Sequence, residues 1–344
     1  MTEASSCPPS AESSSIRGEP EAVGLRCAEV WGGNAATWSE LVLPGLTGFV
    51  ASRPHHGQAA GGDVHCVSSC GTGRITRLVL ADVSGHGEQV AETGRRLRRT
   101  MQRYLNHIEP HRLAARMNRD MDEVAGDTGR FATAIVLTHF APEQRMTVCN
   151  AGHPPPLVYR VGDRRWRPLS VPDEQTGRAA AEAGRGGDAS GDPVIANLPL
   201  GVLENVGYRG QEIRLHPGDA VLVYTDCLIE AMNAQREMLG VEGLVDAANG
   251  LEEDPGSAVP ASVIGGLIDA VLRGGHAFDD DLTAVLLRCD GPSPGATPAR
   301  RAAGVLRALT APLRRRPPPW PELSARNLID PLCFWRKPAE PKVD

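Results

Sequence analysis

Four aspartates stand where a carboxylate is costly to keep. Asp63 follows two glycines in AAGGDVH, Asp82 closes the apolar run RLVLAD, Asp226 closes LVYTD, and Asp280 lies in FDDDLTAV at the entry to another apolar run. A carboxylate at the end of a buried strand needs a cation, and no lysine or arginine adjoins Asp82 or Asp226. Oxygen ligands gathered from separate strands suit Mg2+ or Mn2+. Two such ions close together can hold a hydroxide and clamp a phosphoryl group for in-line displacement. Gly85 and Gly87 flank His86 in DVSGHG and leave room for backbone carbonyls and water beside the metals. His86 has the chemistry to protonate a leaving oxygen.

Each of these residues also has a plainer reading. Asp82 fits an Asx turn, Asp219 a tight turn, and the run Asp279–Asp281 a solvated helix–strand junction. His86 fits a turn residue bonded to water, and His153 in NAGHPPP a residue that positions the turn into the next strand. His55, His56, His65, Cys66 and Cys70 form a minor zinc alternative, but their spacing matches no closed site. The four aspartates gain weight only together and in this order.

The elements that must carry them are legible in part. ITRLVLAD (75–82) reads as a short buried strand, followed by a helical stripe of Val90, Gly94, Leu97, Met101, Tyr104 and Ile108. A second helix is expected over 111–124, then strands in FATAIVLTHF, MTVCNAG and PPLVYRV, the first two joined by a polar turn that favours antiparallel pairing. YRGQEIRLHPGDAVLVYTD reads as strand, turn at Pro217-Gly218-Asp219, strand. Helices are expected over 237–248 and 257–273, and DLTAVLLRC closes with a strand. Strands and helices come in blocks rather than in βαβ alternation, which predicts an α+β fold of layered antiparallel sheets flanked by helices.

Composition bounds the rest. The chain of 344 residues can bury a substantial core. Its net charge of −6 divides into +6 over 291–344 and −12 over the remainder, so the main body is acidic and unsuited to nucleic acid. The eight cysteines form no CxxC pair and several sit in apolar runs, the pattern of free thiols in a reducing cytoplasm. The N-terminus lacks a secretory pattern, and no apolar segment approaches bilayer length. Residues 1–22, rich in Ser, Pro and Glu, read as disordered. The domain is expected over 23–290, with 170–194 as a surface insertion, and 291–344 is expected to be a basic Pro/Arg-rich tail, largely disordered.

The succession GGD, DVSGHG, NAGHPPPL, LPLG, LHPGD, LVYTD with IEA, and DDLT resembles the stage II sporulation E-type (SpoIIE-like) branch of the PPM metal-dependent serine/threonine protein phosphatases, over residues 45 to 289. The resemblance implies a four-layer α-β-β-α sandwich of two antiparallel sheets flanked by helices. It implies two Mn2+ or Mg2+ ions, with Asp63 on one, Asp82 bridging both, the carbonyl of Val83 as a further ligand, and Asp226 and Asp280 on one common ion. Asp82 and, from its own chemistry in SGHG, His86 are the expected catalytic residues. The substrate implied is a phosphoprotein of the anti-sigma-factor-antagonist kind in bacterial signalling, attacked directly without a phosphoenzyme. Two positions depart from the family pattern: Cys66 where a second aspartate is frequent, and Cys227 where a glycine usually follows the third aspartate. They leave open a catalytically weak module acting by partner binding, and a thiol-linked sensitivity to oxidation or zinc. No GxxxxGK[ST] motif of a nucleotide-binding kinase is present.

Overall fold

The structure is a computed structural model that describes residues 20–25, 30–69, 73–85, 88–104, 109–169, 197–204 and 206–293. His86, Ile108, Cys7, Cys27, Cys70, Cys333, the 170–194 stretch and the tail beyond 293 lie outside the described residues.

Thirteen strands form two sheets among the described residues. The first has the order β1 (Glu21–Gly24), β3 (Thr37–Leu43), β4 (Leu46–Arg53), β13 (Leu282–Cys289), β12 (Ala220–Tyr224), β9 (Leu157–Arg160), β10 (Arg165–Pro168). The second has the order β11 (Gly210–Arg214), β8 (Arg145–Ala151), β7 (Ala132–Phe140), β6 (Ile75–Val83), β5 (Val64–Ser69), β2 (Val30–Gly33). Pairing is antiparallel except for β1 beside β3, which is parallel and begins at Glu21, inside the segment expected to be disordered.

Three apolar layers hold the sheets and helices together. Leu78, Leu80, Ile135 and Leu137 of the second sheet meet Val50, Val221, Val223 and Val285 of the first in the layer between the sheets. The alternate residues face outward. Val64, Val79, Ala81 and Val136 lie under α1 (Glu88–Arg103) and α2 (Pro110–Thr128), where Val90, Leu97, Met101, Leu113 and Met117 are buried. On the other side Phe49, Ala51, Leu222 and Ala284 lie under the short α3 (Cys227–Glu230), α4 (Gly240–Asn249) and α5 (Pro260–Arg273). This is period-two alternation serving two interfaces at once, and it makes the expected α-β-β-α sandwich. The helical stripe predicted from Val90 to Tyr104 is the buried face of α1. Pro260 opens α5, where a missing N–H costs nothing, and the Gly274 amide closes it on the Ala270 carbonyl.

The reading of strand, turn, strand over YRGQEIRLHPGDAVLVYTD holds, with β11 ending at Arg214 and β12 starting at Ala220. The two strands around Pro217-Gly218-Asp219 do not pair with each other: β11 is the half-exposed edge of one sheet, and β12 is central in the other. The five consecutive buried residues AVLVY explain the split, because a strand covered on both faces belongs inside a sheet. The turn is a crossover between sheets. Asp219 is its buried anchor, accepting from Arg160 Nη1 at 2.7 Å and from the amides of His216 and Val161 at 2.9 and 3.0 Å.

Registers gather the site. Val64 opens β5 opposite Ala81 near the end of β6, and Tyr224 ends β12 opposite Ala284 near the start of β13. Leu282 starts β13 opposite Arg53, the end of β4. The Asp63, Asp82, Asp226 and Asp280 positions are therefore all delivered to one end of the sandwich.

Candidate metal centre

Asp63 precedes β5 and is 3% exposed. Its Oδ2 accepts the Thr225 hydroxyl at 2.9 Å, from the residue just beyond β12 in the opposite sheet, and the Thr283 hydroxyl also bonds its carboxylate. The Thr225 oxygen in turn accepts the Thr283 amide at 2.9 Å, and the Ser52 and Thr283 hydroxyls stand 2.9 Å apart. A chain of hydroxyls from the first sheet thus holds a carboxylate of the second. The remaining oxygen, Asp63 Oδ1, is buried and accepts no hydrogen bond. A buried carboxylate oxygen without a donor suits an inner-shell cation.

Asp82 sits at the end of β6 and hydrogen-bonds Asp226, carried just beyond β12. Burial, then the charges of Asp226, Asp280 and Asp281, push the Asp82 carboxyl up to about 8. Asp63 is raised well above the usual carboxylate range by burial and by the Asp82 charge, against the opposing Thr283 hydroxyl. Asp226 is raised by burial and by Glu230 and Asp280, although the Cys227 amide and Asp82 bond it. None of the ion pairs among the described residues supplies a cation to these groups. Also among the described residues, no three carboxylates, imidazoles or thiols close on one point in ready ligand geometry. The aspartates interact in pairs, and their mutual repulsion is the electrostatic state that a divalent ion relieves.

The backbone around them is shaped for close approach. A Cβ on Gly62 would meet the Val83 carbonyl at 3.0 Å and Val90 Cγ1 at 2.8 Å, so the glycine lets the Asp63 loop lie against that carbonyl. Gly85 has φ of 99°, a left-handed value that turns the chain away from β6. Ser84 closes the β6–β7 end through two bonds with the Phe131 backbone, at 3.0 and 3.1 Å.

The other expected residues sort clearly. His153 is buried, its Nδ1 lies 2.9 Å from the hydroxyl of Thr133, the strand partner of Asp82, and burial lowers it to about 3; it braces the β8–β9 turn. The zinc alternative fails: Cys66 packs among the residues under α1, while its neighbour His65 points to the opposite face, against Trp31. The Cys66 thiol is pushed up to about 12 by burial, despite Arg98 beside it. Cys227 is close to the site, with Sγ 3.5 Å from the Asp280 carbonyl, and burial raises its thiol too. Burial disfavours the thiolate form at both positions. Sequence reasoning assigned no role to Thr225, Thr283 and Asp281, although LVYTD and DDLT contain them.

The model of the family described as stage II sporulation protein E matches residues 72–174 and 185–290. Among solved structures, the chain is similar to the RsbU and RsbW domains of Rv1364c from Mycobacterium tuberculosis, with 24% identity, a TM-score of 0.57, and coverage of 81% of this chain and 72% of that one. It is also similar to the SiaA-PP2C domain of Pseudomonas aeruginosa, with 15% identity, a TM-score of 0.53, and coverage of 70% and 85%. A third similarity is to the PP2C phosphatase domain with a regulatory fragment of SpoIIE from Bacillus subtilis, with 14% identity, a TM-score of 0.52, and coverage of 76% and 64%.

Proposed function

The chain belongs to the stage II sporulation protein E family, and from that premise we propose that it is a Mg2+- or Mn2+-dependent phosphatase of phosphoserine or phosphothreonine in proteins. The observation that carries the reading is that Asp82 lies within electrostatic reach of both Asp63 and Asp226, which come from opposite sheets, and that the buried Asp63 Oδ1 has no hydrogen-bond donor.

Asp63, Asp82, Asp226, Asp280 and the carbonyl of Val83 are the residues that would hold two ions. When bound, the ions supply an acidified water and neutralise charge at a phosphoryl group in line for displacement. The protein's own part is positional and protonic. The hydroxyls of Thr225 and Thr283 keep Asp63 oriented. Asp82, its carboxyl raised by burial and by the neighbouring carboxylates, must be deprotonated to enter the ligand set, so metal affinity rises with pH. His86, following the Gly85 turn, is the proposed donor to the leaving oxygen.

The substrate proposed is a phosphorylated anti-sigma-factor antagonist. The likeness to a chain holding RsbU and RsbW domains supports it. We take 23–290 as the catalytic domain. A cytoplasmic setting is supported by four buried, unpaired cysteines, Cys66, Cys149, Cys227 and Cys289. Among the described residues no helix is long and apolar enough to cross a membrane.

The direct test is Asp82→Asn. Wild type should release phosphate from p-nitrophenyl phosphate and from a phosphoserine protein only with Mn2+ or Mg2+, and the variant should fold but release none. Undiminished turnover by the variant would defeat the assignment.

A further inference from the structure

The sequence FDDDLT presents three consecutive carboxylates at the entry to β13, and the fold gives them different surroundings. Asp279 is exposed and reaches His55 Nε2 at 3.4 Å. Asp280 is exposed too, and its Oδ1 accepts the Asp281 amide at 2.7 Å. Asp281 turns inward. Its Oδ1 accepts the His55 amide at 2.6 Å, and its Oδ2 accepts the Gly62 amide at 2.5 Å.

Those two amides stand at opposite ends of the loop that joins β4 to β5, and Asp63 is its last residue. A side chain at Gly61 would run into the Asp281 carboxylate, so the first glycine of the GGD sequence is the space that this carboxylate occupies. The loop is held from its other flank by Asn34, which exchanges two bonds with Gly61 at 2.8 and 3.0 Å. With each oxygen already taken by a backbone N–H, Asp281 is committed to the loop, even though its charge is felt at Asp63 and Asp82.

We infer that Asp281 is a positioning residue that ties the two ends of the 55–62 loop together and so fixes where Asp63 presents its free oxygen, rather than a metal ligand. The inference rests on reading Asp63 as a ligand. It assigns neighbouring aspartates separate tasks: the exposed Asp280 remains the candidate ligand, and Asp281 holds the loop that brings a ligand from the other sheet. Two charge-assisted bonds to backbone amides suit this task, since they fix geometry at both ends of a short loop.

The test uses the full chain with Asp281→Ala and Asp281→Asn, reading amide hydrogen exchange over 55–62 without metal and Mn2+ binding by calorimetry. In Asp281→Ala, protection of the His55 and Gly62 amides should fall by about tenfold or more, as expected for loss of the acceptor at a local opening. Mn2+ should bind with unchanged stoichiometry and an affinity weakened by about 10- to 100-fold, in the range for loss of an outer-shell partner. Asp281→Asn keeps one acceptor and should fall between, which also provides a folded variant should alanine fail. Unchanged protection with one ion fewer bound would make Asp281 a ligand and overturn the inference. Lost protection with unchanged Mn2+ affinity would overturn it as well. A wild type that binds no Mn2+ overturns the metal-centre reading itself, which separates the two failures.

Discussion

Replacing Asp82 with asparagine should make the metal-free protein more stable while destroying its response to metal. The Asp82 carboxyl is held at about 8, against an ordinary 3.8, by burial and by Asp226, Asp280 and Asp281. Because the folded value lies above the unfolded one, the folded state is penalised once pH exceeds the ordinary value. The penalty grows as pH rises and levels off near 8. At pH 7 it amounts to about 4 kcal/mol, and at pH 5 to about 2 kcal/mol. Asparagine carries no such penalty and still offers an N–H to Asp226. Relaxation of the four-carboxylate cluster trims the gain, so Asp82→Asn should be more stable by about 2–4 kcal/mol at pH 7 in chelator, and by about 1 kcal/mol at pH 5. For a domain of this size each kcal/mol moves the melting temperature by about 2–4 °C. Adding Mn2+ at about 100 times its dissociation constant should raise wild-type stability by about 2.7 kcal/mol and leave the variant unmoved, closing most or all of the gap between them. Thermal melts at both pH values, with chelator and with Mn2+, read all four states. A variant no more stable than wild type in chelator, or a gain that is the same at pH 5 and pH 7, would refute the electrostatic reasoning.

Other outcomes follow from the same contacts. Thr283→Val removes a hydroxyl from Asp63 and from Ser52, and should weaken Mn2+ binding by about tenfold, with Thr283→Ser restoring it, as calorimetry would show. Asp219→Asn should cost about 2–4 kcal/mol in urea melts at pH 7. Burial alone would raise the Asp219 carboxyl, but the His216 and Val161 amides and Arg160 outweigh it and hold it below its ordinary value. The stabilisation is therefore present above that value and lost as pH falls through the folded one, so the deficit of the variant should shrink in acid. His139 is buried and lowered to about 4, so its contribution is complete above about 6.5 and is lost towards 4. His139→Leu should therefore flatten the acid limb of the stability profile by up to about 3 kcal/mol between those values, read from urea melts.

How much was legible depended on whether the signal was local. The stripe from Val90 to Tyr104 and the apolar runs 75–82 and 282–289 show because burial on one or both faces imposes a period on neighbouring residues. β10, with RWRP and a single buried residue, carries no such period and passed unnoticed. β11 and β12 read as strand, turn, strand, but a turn sequence says where the chain reverses, not which sheet receives it. At the site, the motif order singled out the aspartates, but three carboxylates in a row at 279–281 look alike in sequence.

The sequence by itself determined which carboxylates stand at strand ends, the layered arrangement of blocks of strands and helices, and the family. Those properties are written in local pattern and in motif order. Only the tertiary structure decided that Thr225 and Thr283 reach across to Asp63, that Cys66 turns away from the site, and that Asp281 grips the loop ahead of β5. Each of these is a contact between segments far apart along the chain. Strand register and sheet membership set such contacts, and those are settled by the packing of two sheets against each other, an outcome that no short stretch of residues encodes.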